Sequence, residues 1–150
     1  MTNQNIHIQK ATEKHLEKIY EINKEFAGFQ RTPEKFTITL QQMKDAKDSF
    51  HFLVAINENE DITGFASFFI AYYSWSGKAL FLDDLYVREN YRKQKIGLRL
   101  LQSVINYAKE INCTKVKWQV SKWNENAISF YKKMGASIDE VEINCELSLT

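Results

Sequence analysis

Apolar positions along this chain change period several times, and each change marks an element. Ile6-His7-Ile8 alternates into Lys10, the period of a short strand. Thr12 then reads as a helix N-cap, and Leu16, Ile19, Tyr20, Asn23 and Phe26 follow at helical spacing. Gly28 stands where that helix should stop. Thr32-Pro33-Glu34-Lys35 has the form of a second helix start, with Pro33 at the first helical position and Phe36, Leu40 and Met43 on one face. Residues 50–56, 62–73 and 79–87 are rich in β-formers. The polar turns Asn57-Glu58-Asn59-Glu60-Asp61 and Ser74-Trp75-Ser76-Gly77-Lys78 separate them, which predicts an antiparallel meander.

From Gly97 the period lengthens again. Gly97, Leu100, Leu101, Val104, Ile105, Ala108 and Ile111 form an amphipathic stripe, so residues 96–111 should be a helix. Residues 115–120 read as a strand, parallel to the previous one because a helix intervenes. Asn124 or Glu125 opens a last helix with Ala127, Phe130, Tyr131 and Met134 on one face, closed by Gly135. Residues 138–149 supply one or two final strands. The order β-α-α-β-β-β-α-β-α-β describes an α+β domain with a mixed sheet, in one domain over residues 1–150.

Composition narrows the function classes. A formal net charge of +1 gives no global field toward nucleic acid or membrane. The start Met1-Thr2-Asn3-Gln4-Asn5 is polar, which does not fit a signal peptide, and no apolar run nears the roughly 20 residues of a membrane span. Cys113 and Cys145 suit two reduced thiols in a cytoplasmic protein, and His7, His15 and His51 lack metal-ligand spacing, so no metal site is expected.

Chemistry concentrates in three places. Tyr91-Arg92-Lys93-Gln94-Lys95-Ile96-Gly97 is a basic, Gly-containing turn between a strand and a helix. Arg88, Arg92, Lys93, Lys95 and Arg99 in so short a stretch could be a solvated face or a nucleic-acid patch. Their position at a helix N-terminus favours a diphosphate, because backbone N–H groups and the positive end of the helix dipole converge there. Leu82-Asp83-Asp84-Leu85 sets two carboxylates in an apolar strand, where alternation would put them on opposite faces. A carboxylate so placed needs a partner or a task, such as accepting a proton or binding a cation. In the last helix, Tyr131 lies on the apolar stripe, where it can be core or functional, and Asn124 suits a cap.

Together, the element order, the basic turn and Asn124-Glu125-Asn126-Ala127-Ile128-Ser129-Phe130-Tyr131-Lys132-Lys133-Met134-Gly135-Ala136 resemble the GNAT N-acetyltransferases. Residues 68–87, Tyr91-Arg92 and residues 123–136 are similar to the diamine (spermidine/spermine) and thialysine acetyltransferase branch. The resemblance implies a GNAT fold with a splayed parallel strand pair, acetyl-CoA as acyl donor, a small-molecule primary amine as acceptor, and a homodimer. It implies cofactor contacts from Leu85, Tyr86, Val87, Arg92, Lys93, Gln94, Lys95, Ile96, Gly97, Leu98, Asn124 and Tyr131. Asp83 corresponds to a base acting through water, and Tyr131 to the acid that protonates the leaving thiolate. Phe29, Arg31, Trp75, Asp83 and Asp84 are the candidate substrate residues.

The chain departs from the family pattern in three places. Lys95 stands at the usual first Gly of the turn, with Leu98 after Gly97; Asp83 replaces a Glu; and Phe29-Gln30-Arg31 replaces acidic and tyrosyl residues. Arg31 would suit an amine substrate that also carries a carboxylate, such as a lysine-like amino acid. The rival readings are acetylation of a protein or peptide amine, and an acyl-CoA-binding sensor without chemistry. Retention of both Asp83 and Tyr131 argues against the sensor.

Overall fold

The computed structural model describes residues 5–150. Most of the polar start read above, Met1 to Gln4, lies outside the described residues. The chain divides into two compact units, one ending at Trp118 and one from Gln119 to Thr150.

The first unit is built on a long hairpin. Strands β3 (Ile62–Tyr73) and β4 (Gly77–Val87) pair antiparallel, with Gly77 at φ 83° closing the turn. β2 (His51–Ile56) pairs antiparallel with β3, and β1 (His7–Lys10) with β2. β5 (Lys115–Lys117) lies parallel to β4 at the other side, giving the order β1-β2-β3-β4-β5. The meander and the parallel pair are as the sequence predicts.

Each face of this sheet packs on a helix. Helix α1 (Glu13–Phe29) buries Ile19 and Ile22 against Phe52, Val54, Phe65 and Tyr86. Its start is a capping box in which the Thr12 N–H donates to His15 Nδ1 at 2.9 Å. Helix α3 (Ile96–Glu110) buries Ile96, Leu100, Leu101, Val104 and Ala108 on the other face, where the Tyr107 and Phe68 rings lie 5.4 Å apart. Gly64 is required where β3 meets β4: a Cβ there would stand 2.7 Å from the Tyr86 carbonyl oxygen of the paired strand.

Several sequence expectations need correction. Gly28 does not end α1; the helix runs on to Phe29, and Arg31 takes the left-handed conformation, at φ 60°. Pro33 opens only a 3-10 turn, Pro33–Lys35. The β-branched run Thr37-Ile38-Thr39 interrupts the helix. Helix α2 (Leu40–Asp45) restarts at a capping box in which Gln42 N–H donates to Thr39 Oγ1 at 3.1 Å and Thr39 N–H to Gln42 Oε1 at 2.8 Å. β5 is half the predicted length.

In the second unit, α4 (Glu125–Lys133) begins at Asn124, whose Oδ1 accepts from Ala127 N–H at 3.2 Å, and stops at Gly135, φ 97°. The expected strands over residues 138–149 are not found. Asp139 Oδ1 instead takes the N–H groups of Val141 and Glu142, a local turn that competes with a ladder, and Val141, Ile143, Leu147 and Leu149 are exposed. Apolar alternation gives a strand only where a partner ladder meets it.

Candidate active site

The carboxylates owe their placement to a defect in the β3–β4 ladder. Ser67 pairs with Asp84, but the next residue, Phe68, pairs with Leu82, so Asp83 is an extra residue. This is a β-bulge. Counting along β4 from Phe81, which stacks on Phe69 on the α1 side, puts Asp83 on that side. Counting back from Tyr86, in the same core, puts Asp84 there too. The sequence expectation of opposite faces is therefore wrong: the bulge gathers both carboxylates on the α1 face. Ser67, fully buried, steadies the kink by accepting the Asp84 N–H on Oγ at 3.1 Å.

Electrostatics follow from the geometry. Desolvation by burial raises the Asp83 carboxyl above its ordinary value. The same effect, with the Asp83 charge added, pushes Asp84 up to about 6. Two adjacent carboxylates with raised proton affinity have the chemistry to accept a proton from, or hold, an ammonium group.

Beyond the bulge, β4 has a free edge. β5 pairs only with Ala79, Leu80 and Phe81, so among the described strands nothing covers Leu82 to Val87 on that side. Alternate backbone groups of this stretch face that edge, where an extended ligand could pair, and the Val87 carbonyl there accepts from Arg92 Nε at 2.9 Å. The turn then leads into α3. Lys93 and Lys95 both adopt the left-handed conformation, at φ 65° and 61°, and Lys95 is the N-cap without a side-chain capping bond. Arg99 donates to Lys95 O at 3.0 Å, the first N–H that the helix itself satisfies. The N–H groups of Ile96, Gly97 and Leu98 precede it and lack intrahelical partners, as helix starts do. Lys93, Gln94, Lys95 and Leu98 are exposed around them.

Gly97 has a separate meaning. A Cβ there would only touch Val87 Cγ2 at 3.6 Å, an ordinary contact, so packing does not demand glycine. Glycine weakens a helix by about 1 kcal/mol relative to alanine. Its presence at an uncapped start fits close approach by a ligand from outside the chain. These features accommodate a diphosphate with an extended tail.

The remaining candidates divide. Phe29 ends α1 and lies beneath the Arg92 guanidinium, whose carbon is 4.5 Å from the ring centroid. Arg31 is exposed two residues on. Trp75 is 99% exposed at the hairpin tip. Six residues of strand, about 20 Å, separate Gly77 from Asp83, so the hairpin does not bring Trp75 to the carboxylates. The side chain of Tyr86 turns into the core, and its backbone lies in the ladder opposite Phe65, with the carbonyl toward β3, so the expectation of a cofactor contact there is not supported. Asn124 and Tyr131 belong to α4 of the second unit, where burial raises the Tyr131 phenol above its ordinary value. Such a phenol keeps its proton at neutral pH.

Sequence reasoning missed Ser67, the bulge and the contacts of Arg92. Ser67 had one signal, a lone hydroxyl inside Phe65-Ala66-Ser67-Phe68-Phe69. Among the described residues no cluster of three or more His, Cys, Asp or Glu could hold a metal, and no helix is long and apolar enough to cross a membrane. Both cysteines are free thiols.

The chain is similar to several known proteins. A thialysine N-epsilon-acetyltransferase from Mus musculus is 26% identical over 140 residues, covering 86% of this chain and 82% of that protein. The match to the Bos taurus enzyme of the same name, 32% over 75 residues, spans half of this chain and 44% of that protein. A D-amino-acid N-acetyltransferase from Saccharomyces cerevisiae is 30% identical over 146 residues, 94% of this chain and 91% of that protein. In fold, the chain matches an aminoglycoside N-acetyltransferase solved in complex with CoA, with a TM-score of 0.76 at 17% identity, covering 96% and 95% of the two chains. Residues 16–136 match the acetyltransferase (GNAT) family, which uses acetyl-CoA. The chain therefore belongs to the GNAT family of N-acetyltransferases.

Proposed function

We propose that this enzyme transfers the acetyl group of acetyl-CoA to a primary amine of a small molecule, a lysine- or thialysine-like amino acid or a polyamine. The observation that carries the reading is the bulge that sets Asp83 and Asp84 on one face with raised proton affinity. Acetyl-CoA supplies an activated thioester, and the neutral amine takes the acetyl group directly, releasing CoA. An alkylammonium (pKa about 10.4 for lysine) must first lose a proton, and Asp83 accepts it through water. Asp84 holds the cationic end of the substrate. Tyr131 returns a proton to the leaving thiolate.

The turn residues Arg92 to Leu98 and Asn124 hold the cofactor, with the N–H groups of Ile96, Gly97 and Leu98 on the diphosphate. The backbone of Leu85 and Val87 pairs with its extended arm, and an N–H near Leu85 polarises the thioester carbonyl. Phe29 and Arg31 face the acceptor, and Arg31 selects a carboxylate on it. Support for an amino-acid acceptor comes from relatives named for thialysine and for D-amino acids. We further propose a homodimer, in keeping with the exposed aromatics Tyr72 and Trp75 on the hairpin.

The test is CoA release across an amine panel: thialysine, lysine, spermidine, spermine, putrescine, an aminoglycoside and a lysine-containing peptide, with the mass in solution read alongside by light scattering. Turnover is expected with the amino acids. Turnover with polyamines alone would remove Arg31 as a carboxylate reader and leave the acid pair as the specificity element. Turnover with the peptide alone would replace the small-molecule reading.

A further inference from the structure

Off the end of the sheet, where β1 passes into α1 and β2 begins, lies a cavity of about 620 Å³ that the proposed reaction does not use. Its size is that of a small-molecule site. One wall is apolar: Leu16 of α1, Met43 of α2, and Phe50 and Phe52, whose rings meet edge to face at 5.3 Å. A second wall is formed by Phe68 and Tyr107, with centroids 5.4 Å apart, and by the His51 ring, 5.6 Å from Phe68. The cavity is separate from the acid pair. Phe52 stands opposite Ser67, and Ser67 opposite Asp84, so two strand spacings, about 10 Å, lie between Phe52 and Asp84.

The rim of this cavity is basic. Lys10, Lys44 and Lys47 stand on it, with the carboxylates of Glu13 and Asp45 beside them. Asp45 Oδ1 accepts from Gln41 Nε2 at 2.9 Å, and Glu13 sits in the first turn of α1, at the positive end of the helix dipole. Neither forms an ion pair with these lysines. Lys10 is held by an aromatic ring instead. Its Nζ lies 4.5 Å from the Tyr107 centroid and donates to Tyr107 Oη in a long bond of 3.5 Å. A phenol that accepts from an ammonium turns its own proton elsewhere, and among the described residues no group takes it. Ammonium and phenol therefore offer two donors at one edge of the cavity. Burial and then the Lys10 charge hold the His51 imidazole below its ordinary value, against the lesser opposing pull of Asp48. The Lys10 charge is thus felt at the cavity and is not cancelled there.

We infer that this cavity is a second ligand site, shaped for a small carboxylate with a flat aromatic body. The body lies among the rings of Phe50, Phe52 and Phe68, which favour edge-to-face and offset contact with another ring. The carboxylate meets the Lys10 ammonium and the Tyr107 hydroxyl, and Lys44 and Lys47 add positive field from the α2 side. A cation of the same shape would meet three like charges, so the ligand class differs from the amine that the acid pair would receive.

The test is a titration of the full chain with phenylacetate, read by backbone amide NMR and calorimetry, with acetate as the charge-only probe and benzyl alcohol as the ring-only probe. Phenylacetate is expected to bind saturably, with shifts at Leu16, His51, Phe52 and Tyr107, and to do so equally with CoA present. Each partial probe should bind about tenfold or more weakly. Lys10→Gln, at an exposed side chain, should weaken phenylacetate about 10- to 100-fold. Tyr107→Phe should weaken it about 3- to 10-fold, with the amide spectrum otherwise unchanged. Lys93→Gln, in the other basic cluster, should leave the affinity as it is. Binding no tighter than about 10 mM would overturn the inference, as would equal binding of either partial probe. Full affinity in Lys10→Gln would overturn it too. So would shifts centred on Ile96, Gly97 and Leu98 that vanish in Lys93→Gln, which would move the ligand to the turn before α3.

Discussion

At the β4 bulge the proposed functional groups are side chains, whereas at the turn before α3 they are backbone N–H groups. The two regions lie a few residues apart on one chain and tolerate change differently. Two carboxylates drawn to one face and partly desolvated depend on their identity, since an amide in place of either cannot take a proton. The turn depends on φ and ψ, which is why Lys95 can stand at a position where the family uses glycine, at the cost of a left-handed backbone. Side-chain sites are legible as residue types; backbone sites are legible as conformations.

The strongest challenge to that contrast is removal of a side-chain proton donor. Tyr131→Phe should lower kcat by about 10²–10⁴-fold with CoA affinity unchanged by calorimetry. A variant that retains full turnover would show that the side chains are dispensable and that binding alone carries the rate.

Asp84→Asn comes next, because its effects on activity and stability should have opposite signs. Asp84 binds its proton up to about pH 6 in the folded chain and about 3.9 unfolded. The raised value means that stability is fully present below about 4 and is lost as pH rises through about 6. Neutralising the group should therefore stabilise the protein at pH 7.5 by on the order of 2 kcal/mol, with the gain vanishing toward pH 4 in urea titrations. The amine KM should rise about 10- to 100-fold through loss of a charged hydrogen bond. In wild type, kcat/KM should fall on the acid side of about pH 6. A variant no more stable than wild type at pH 7.5 would mean that the carboxylate is solvated.

Gly97→Ala sharpens the other half. Alanine should stabilise α3 by up to about 1 kcal/mol, raising Tm by a few degrees, since the added methyl meets only Val87 at 3.6 Å. The KM for acetyl-CoA should nonetheless rise several-fold. Unchanged KM would show that the ligand does not approach the helix start closely.

The same division explains what could be read from the sequence. The meander, the parallel pair, α1, α3 and α4 are written in local periodicity, and the basic turn in a short motif. The shared face of Asp83 and Asp84 is not local: it exists only in register with Ser67 and Phe68 of β3, some 16 residues upstream of them by sequence, and alternation within β4 alone gives the opposite answer. The stack of Arg92 on Phe29 joins residues far apart in the chain, so spacing could not reveal it. The missing strands at residues 138–149 show the converse, a clear period with no ladder to complete it.

The bulge also sets fold and chemistry on different footings. Without Asp83, β4 would read Leu82, Asp84, Leu85, Tyr86, each on alternate faces and each opposite its present partner in β3. The strand on either side is already in phase, so the ladder has no need of the extra residue. Asp83 is an insertion that leaves the architecture as it was and adds a second acid to one side. On this geometry, a scaffold with an ordinary hairpin lies one codon away from an acid pair.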